Sequence, residues 1–227
     1  MRQKLIFLFA AIAVGLLAWD LYRIAYTVPD EVSGVPFYKN IFFHVPSGIL
    51  ALAGFGVAMV ASVGYLWRKN LRYDAVAVAV TEVSLVFATI LLVTGSIWAH
   101  VAWLTWWKWE PRLTTMLICW ILYTGYLMLR RAIDEPHQRA RLSGVLSIFA
   151  FVDVVIVWKS IDWWQQNQHP SPVLKIRGGT IDPGVEGPMW WNLLALALIG
   201  TIVVLLRLRQ ENARREIEAL RRYAHAL

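Results

Sequence analysis

The sequence predicts an all-α integral membrane bundle of six transmembrane helices, with both termini cytoplasmic and a tryptophan-rich outer loop. Three observations predict it. Of 227 residues, 58% are hydrophobic and 16% charged, with a mean hydropathy of +0.52, more apolar side chain than a soluble domain of this size can cover with polar surface. Apolar runs of the roughly 17–25 residues needed to cross about 30 Å of hydrocarbon recur six times. Lysine and arginine segregate to alternate connections between those runs.

The first run, 5–19, follows Arg2 and Lys4 and has the length of a signal peptide, but no small-x-small cleavage pattern follows Ala18, so it reads as a retained helix. The second, 41–67, repeats Gly54, Ala58 and Ser62 every four residues, a face on which another helix can approach closely. The third, 75–97, carries Glu82 in its inner half. The fourth, 113–129, holds the only cysteine, Cys119, which reads as a small packing residue. The fifth, 142–161, has Asp153 near its middle, and the sixth is 190–206. In the tail, 207–227, Glu211, Glu216 and Glu218 alternate with arginines at helical spacing, so a solvated helix continuing out of the membrane is expected. No repeat, low-complexity tract or long interior linker divides the chain, which reads as one domain, 1–227.

Orientation follows from the basic residues. Fifteen of the 22 lie in the amino-terminal tail, the second and fourth connections and the carboxyl-terminal tail, which places both termini in the cytoplasm. The net charge of +7 is therefore a topology signal with some attraction to anionic lipid. It accompanies no nucleic-acid motif, and nucleic acid is not an expected partner.

Three longer connections fall on the outer side: 20–40, 98–112 and 162–189. The middle one contains five tryptophans in twelve residues, Trp98, Trp103, Trp106, Trp107 and Trp109, followed by Glu110 and Arg112. Trp19, Trp67, Trp158, Trp190 and Trp191 are explained as interfacial anchors, but five indoles in one short segment exceed that need. Neither a helical nor a strand period accounts for them, so the segment reads as a shaped platform for something large, flat and apolar.

Two histidines share that side: His44 at the start of the second run, in His44-Val45-Pro46, and His169 in the last outer connection. Two imidazoles beside an indole-rich surface match bis-histidine coordination of heme: the porphyrin needs aromatic contact, and the iron needs neutral imidazole nitrogen. The propionates need donors such as Arg112, Lys108, Lys175 or Arg177. His100 also lies on this side, whereas His137 and His225 fall in basic inner segments. The chain contains no Gly-x-x-x-x-Gly-Lys-Ser/Thr loop and no outer serine or cysteine paired with a base, so neither ATP hydrolysis nor nucleophilic catalysis is expected of it.

The stretch 95–114, with its Trp98, Trp103, Trp106-Trp107 and Trp109-Glu110, resembles the tryptophan-rich WWD signature of the heme-handling protein family. Within that family, the six-span size, His44-Val45-Pro46, and Trp163-Trp164 ahead of His169 resemble the cytochrome c maturation protein C branch, over about 41–191. The resemblance implies a plasma-membrane protein that holds heme b at the periplasmic face and presents it to a membrane-tethered periplasmic heme chaperone. It further implies an ABC transporter of separate membrane and ATPase subunits and a small membrane adaptor as partners. His44 and His169 match the family's axial-ligand positions. Trp98, Trp103, Trp106, Trp107, Trp109 and Arg112 would contact heme, and Trp103, Trp107, Trp109 and Glu110 would dock the chaperone. The chain departs from the family where Trp-Gly pairs read Trp98-Ala99 and Trp103-Leu104, and where Trp-Asp reads Trp109-Glu110.

Two other function classes remain open on the residues alone. One is a structural subunit that recruits transporter and chaperone without a heme site of its own. The other is a quinone- or ion-translocating subunit, in which Glu82 and Asp153 would line a route. Bound heme that depends on the outer histidines separates the first reading from both.

Overall fold

The computed structural model describes residues 3–28, 38–164 and 183–226. Among them there is no strand. The described residues form six long helices, α1 (Gln3–Tyr26), α2 (Ile41–Arg68), α3 (Leu71–Trp103), α4 (Pro111–Arg131), α5 (Pro136–Trp164) and α6 (Pro183–Ala226), and one 3-10 turn at Tyr38–Asn40. All six contain stretches long and apolar enough to cross a membrane.

The helices overrun the apolar runs that reveal them. At about 1.5 Å per residue, the 33 residues of α3 reach about 50 Å, well beyond the hydrocarbon thickness, so several of its turns stand outside the apolar layer. Helices α2 and α3 form an antiparallel hairpin around Lys69, whose left-handed backbone (φ 55°) ends α2 as its N–H donates to the Tyr65 carbonyl. Asn70 then starts α3 by accepting from the Arg72 N–H at 3.0 Å. Glycines let the two helices close: a Cβ at Gly54 would lie 2.0 Å from Ser84 Oγ, and one at Gly64 would lie 2.9 Å from the Tyr73 ring. The Gly54–Ala58–Ser62 face is thus a packing face, with Ala58 and Ser62 buried on it.

The core lies among α2, α3, α4 and α5. Phe55 and Tyr123 stack with ring centres 3.7 Å apart and planes within 6°, surrounded by Phe87, Met116, Val154 and Cys119. Cys119 is fully buried there as a small packing residue. Helix α1 packs against α6, where Trp19 meets Trp191 edge to face at 5.9 Å.

The end of the bundle that carries both termini is held by ions. The tail is the expected helix, a continuation of α6 with most of its side chains exposed, but one face of it, Glu211, Arg215 and Glu218, docks on its own bundle. Asp74, near the start of α3, takes both guanidinium nitrogens of Arg130 at 2.5 and 3.0 Å and one of Arg215 at 2.7 Å. Arg130 also donates to Ser143, and Arg215 to the Leu71 carbonyl. Arg139 reaches Glu218 at 3.2 Å. Glu82 is held in a two-point pair by Arg207 at 2.7 and 2.9 Å, so it is a strut between α3 and α6. Asp153 stays buried, with one oxygen lacking a partner among the described residues.

Candidate functional site

The tryptophan segment is not one loop. Its first part continues α3, so Trp98, His100 and Trp103 sit on the last helical turns, because nothing between Ile97 and Trp103 interrupts the backbone bonding. The helix stops at Leu104, whose φ of 57° and ψ of 25° are left-handed and whose N–H donates to the His100 carbonyl at 3.0 Å. Helix α4 restarts at Pro111, preset for a first helical position, after Glu110 in extended geometry. Only 104–110 is connection.

Leu104 holds a left-handed conformation of the kind glycine adopts without cost. A left-handed backbone costs a β-carbon residue about 1–2 kcal/mol, and the Leu104 side chain, 86% exposed, recovers little of that by burial. Leu104→Gly is therefore expected to raise stability by about 1 kcal/mol, read as a higher melting temperature in detergent.

The indoles order one another. Trp98 meets Trp103 edge to face at 5.0 Å, and Trp107 meets Trp109 likewise at 5.8 Å. His100, exposed, stacks flat on Trp106 at 4.1 Å, which accounts for it as a local aromatic contact. Lys108 places its ammonium 4.2 Å above the Trp103 ring centre, a cation–π contact. Trp98, Trp103 and Trp107 are half-buried, whereas Trp106 and Trp109 are 58% and 77% exposed. The Trp107 indole N–H is buried with no acceptor among the described residues. The connection thus has an anchored side and an outward aromatic side.

His44 occupies the first turn of α2 and points at α3. Its Nδ1 lies 3.0 Å from Thr94 Oγ1. The Thr94 hydroxyl has one proton and donates it to the Ile90 carbonyl at 2.7 Å, so it can only accept from the imidazole. That arrangement puts the ring proton on Nδ1 and leaves the lone pair on Nε2, the state in which a histidine ligates a metal. Asn40 steadies the same place by donating to the Thr94 carbonyl at 3.0 Å. Gly95 makes the space: a Cβ there would stand 3.1 Å from His44 Cε1. Thr94→Val keeps the shape and removes the acceptor. With His44 as a heme ligand, the role the sequence resemblance implies, this variant is expected to weaken hemin binding by about 10- to 100-fold with an unchanged melting temperature, measured by hemin titration.

Helix α4 brings Arg112 to this site, near enough that its charge acts on His44. Glu110 and Arg112 interact across the start of the same helix. Burial pushes the Glu110 carboxyl above its ordinary range, against the opposing pull of Arg112 and of Lys108. His44, Arg112 and the Thr94–Gly95 notch thus come together from three helices. His169, Lys175 and Arg177 lie outside the described residues. Thr94 and Gly95 carry no local signal that would mark them before folding; their part depends on facing His44 across the hairpin.

A family model described as heme exporter protein C matches residues 1–223. The chain belongs to the heme exporter protein C family. Curated relatives carry the same name. That of Bradyrhizobium diazoefficiens is 34% identical over 212 residues, covering 93% of this chain and 80% of its own. That of Paracoccus denitrificans is 31% identical, covering 93% and 86%, and that of Escherichia coli K12 is 30% identical, covering 88% and 80%. This member of the heme exporter protein C family is therefore a multi-pass membrane protein, consistent with its six spans.

Proposed function

We propose that this chain binds heme b at the periplasmic face of the bacterial plasma membrane and presents it to a membrane-tethered heme chaperone during cytochrome c assembly. The observation that carries the reading is His44: a neutral imidazole held by Thr94 so that Nε2 keeps its lone pair, seated over Gly95 beside Arg112 and the tryptophan segment. In this reading His44 and His169 are the two axial ligands. Trp98, Trp103, Trp106, Trp107 and Trp109 give the porphyrin an apolar aromatic wall, and Arg112 receives a propionate. Trp103, Trp107, Trp109 and Glu110 form the chaperone surface. Both termini are cytoplasmic, which the distribution of basic residues supports.

The chain's contribution is to hold and orient its cargo rather than to make or break bonds. Fixing a reactive edge toward a partner's nucleophile supplies much of a barrier reduction without an acid or base. ATP hydrolysis belongs to a partner subunit of an ABC transporter, joined by its membrane subunit and a small adaptor; the relatives' name, heme exporter protein C, supports that association. The test is heme content. Protein purified in detergent from heme-replete cells is expected to carry stoichiometric heme b, and a heme-free preparation would sink the reading in favour of a purely structural subunit.

A further inference from the structure

The turn of α2 that carries His44 contains a deliberate gap in its bonding. In an α-helix the N–H of residue 46 would donate to the carbonyl of residue 42. Position 46 is a proline, has no N–H, and is buried. The Phe42 carbonyl is thereby released inside the bundle, where Phe42 is fully buried and no water reaches it. A buried carbonyl left without a donor is costly. The donor comes from far away in sequence: Asn192, on α6, is also fully buried, and its Nδ2 donates to the Phe42 carbonyl across 150 residues. One turn earlier on α6, Met189 packs on Phe42 together with Ile24 of α1 and Val28 just beyond that helix.

We infer that Asn192 is a positioning residue for His44: its side-chain amide takes the place of the backbone N–H that Pro46 removes, and so fixes the turn on which the imidazole stands. His44 lies between the two ends of the missing bond. Its ring has narrow tolerance: Nδ1 lies 3.0 Å from the Thr94 hydroxyl, and Gly95 leaves just enough room for the adjacent Cε1. A turn free to tilt in search of a donor for Phe42 would carry the ring out of that notch. The arrangement also explains a primary amide next to Trp190 and Trp191 in an otherwise apolar run, where an uncompensated polar group is expensive. The inference rests on His44 being a heme ligand for its functional consequence, but its structural half does not.

The test is a double-variant cycle with two readouts, hemin titration and hydrogen–deuterium exchange of the peptide spanning 41–50 in the heme-free protein. Asn192→Leu, similar in shape and without a donor, is expected to weaken hemin binding about tenfold and to speed exchange in that peptide. Pro46→Ala restores a backbone N–H at position 46, so combining it with Asn192→Leu is expected to return both readouts to near the wild-type values. Wild-type affinity and exchange in Asn192→Leu would overturn the inference, and so would a double variant no better than the single. If Asn192→Leu cannot be purified, Asn192→Ser, which shortens the donor's reach, is read in the same way. Should the wild type itself take up no heme, the proposed function fails, while the exchange pattern still decides the role of Asn192.

Discussion

Asp74→Ala is expected to destabilise the bundle by about 3–5 kcal/mol, the largest stability change that the structure predicts for a single side chain. The reason is geometric. Asp74 is 3% exposed and receives Arg130, 7% exposed, and Arg215, 16% exposed. Removing the carboxylate leaves two guanidinium groups facing each other, with Glu211 the remaining counter-ion, 3.8 Å from Arg130 and 2.9 Å from Arg215. The same loss detaches α6 from the start of α3, because Arg215 also holds the Leu71 carbonyl. By contrast, Lys159 and Asp162, 45% and 52% exposed, form a solvent-screened pair whose removal is expected to change stability by less than about 1 kcal/mol. Thermal melts of both variants in detergent check the contrast; equal melts would show that the buried network does not stabilise the fold.

Joint replacement of Trp103, Trp106, Trp107 and Trp109 by alanine is expected to cut loading of the chaperone by about a hundredfold, the scale of losing orientation at a reacting edge. The bundle should survive. Trp106 and Trp109 face outward, and the central core is built by Phe55, Tyr123 and their neighbours. Loss of transfer with retained folding would assign the outward aromatic side to presentation. Normal loading by this variant would contradict that assignment, whatever the heme content.

Six membrane-length helices were legible because apolarity summed over about 20 residues is a strong signal. Helix ends were less so. Trp98, His100 and Trp103 neither extend the apolar run nor break a helix, and α3 carries straight through them until Leu104 turns left-handed. The docking of the tail depends on Asp74, Arg130 and Arg215 meeting in space, and spacing within the tail can place Glu211, Arg215 and Glu218 on one face without saying what that face meets. At the site, His44 and Arg112 were legible from residue type and side of the membrane. Thr94 and Gly95 were not, since their importance is created by the hairpin register that sets them against the imidazole. Asn192 did carry a signal, a primary amide inside an apolar run, and Pro46 two residues after His44 was its complement.

The most direct measurement is the visible spectrum of the protein purified from heme-replete cells as wild type, His44→Ala and His169→Ala. The account predicts a six-coordinate heme b spectrum for the wild type, lost or made five-coordinate in each variant, with imidazole restoring the six-coordinate form in His44→Ala. A wild type without a Soret band, or spectra indifferent to both substitutions, would contradict it.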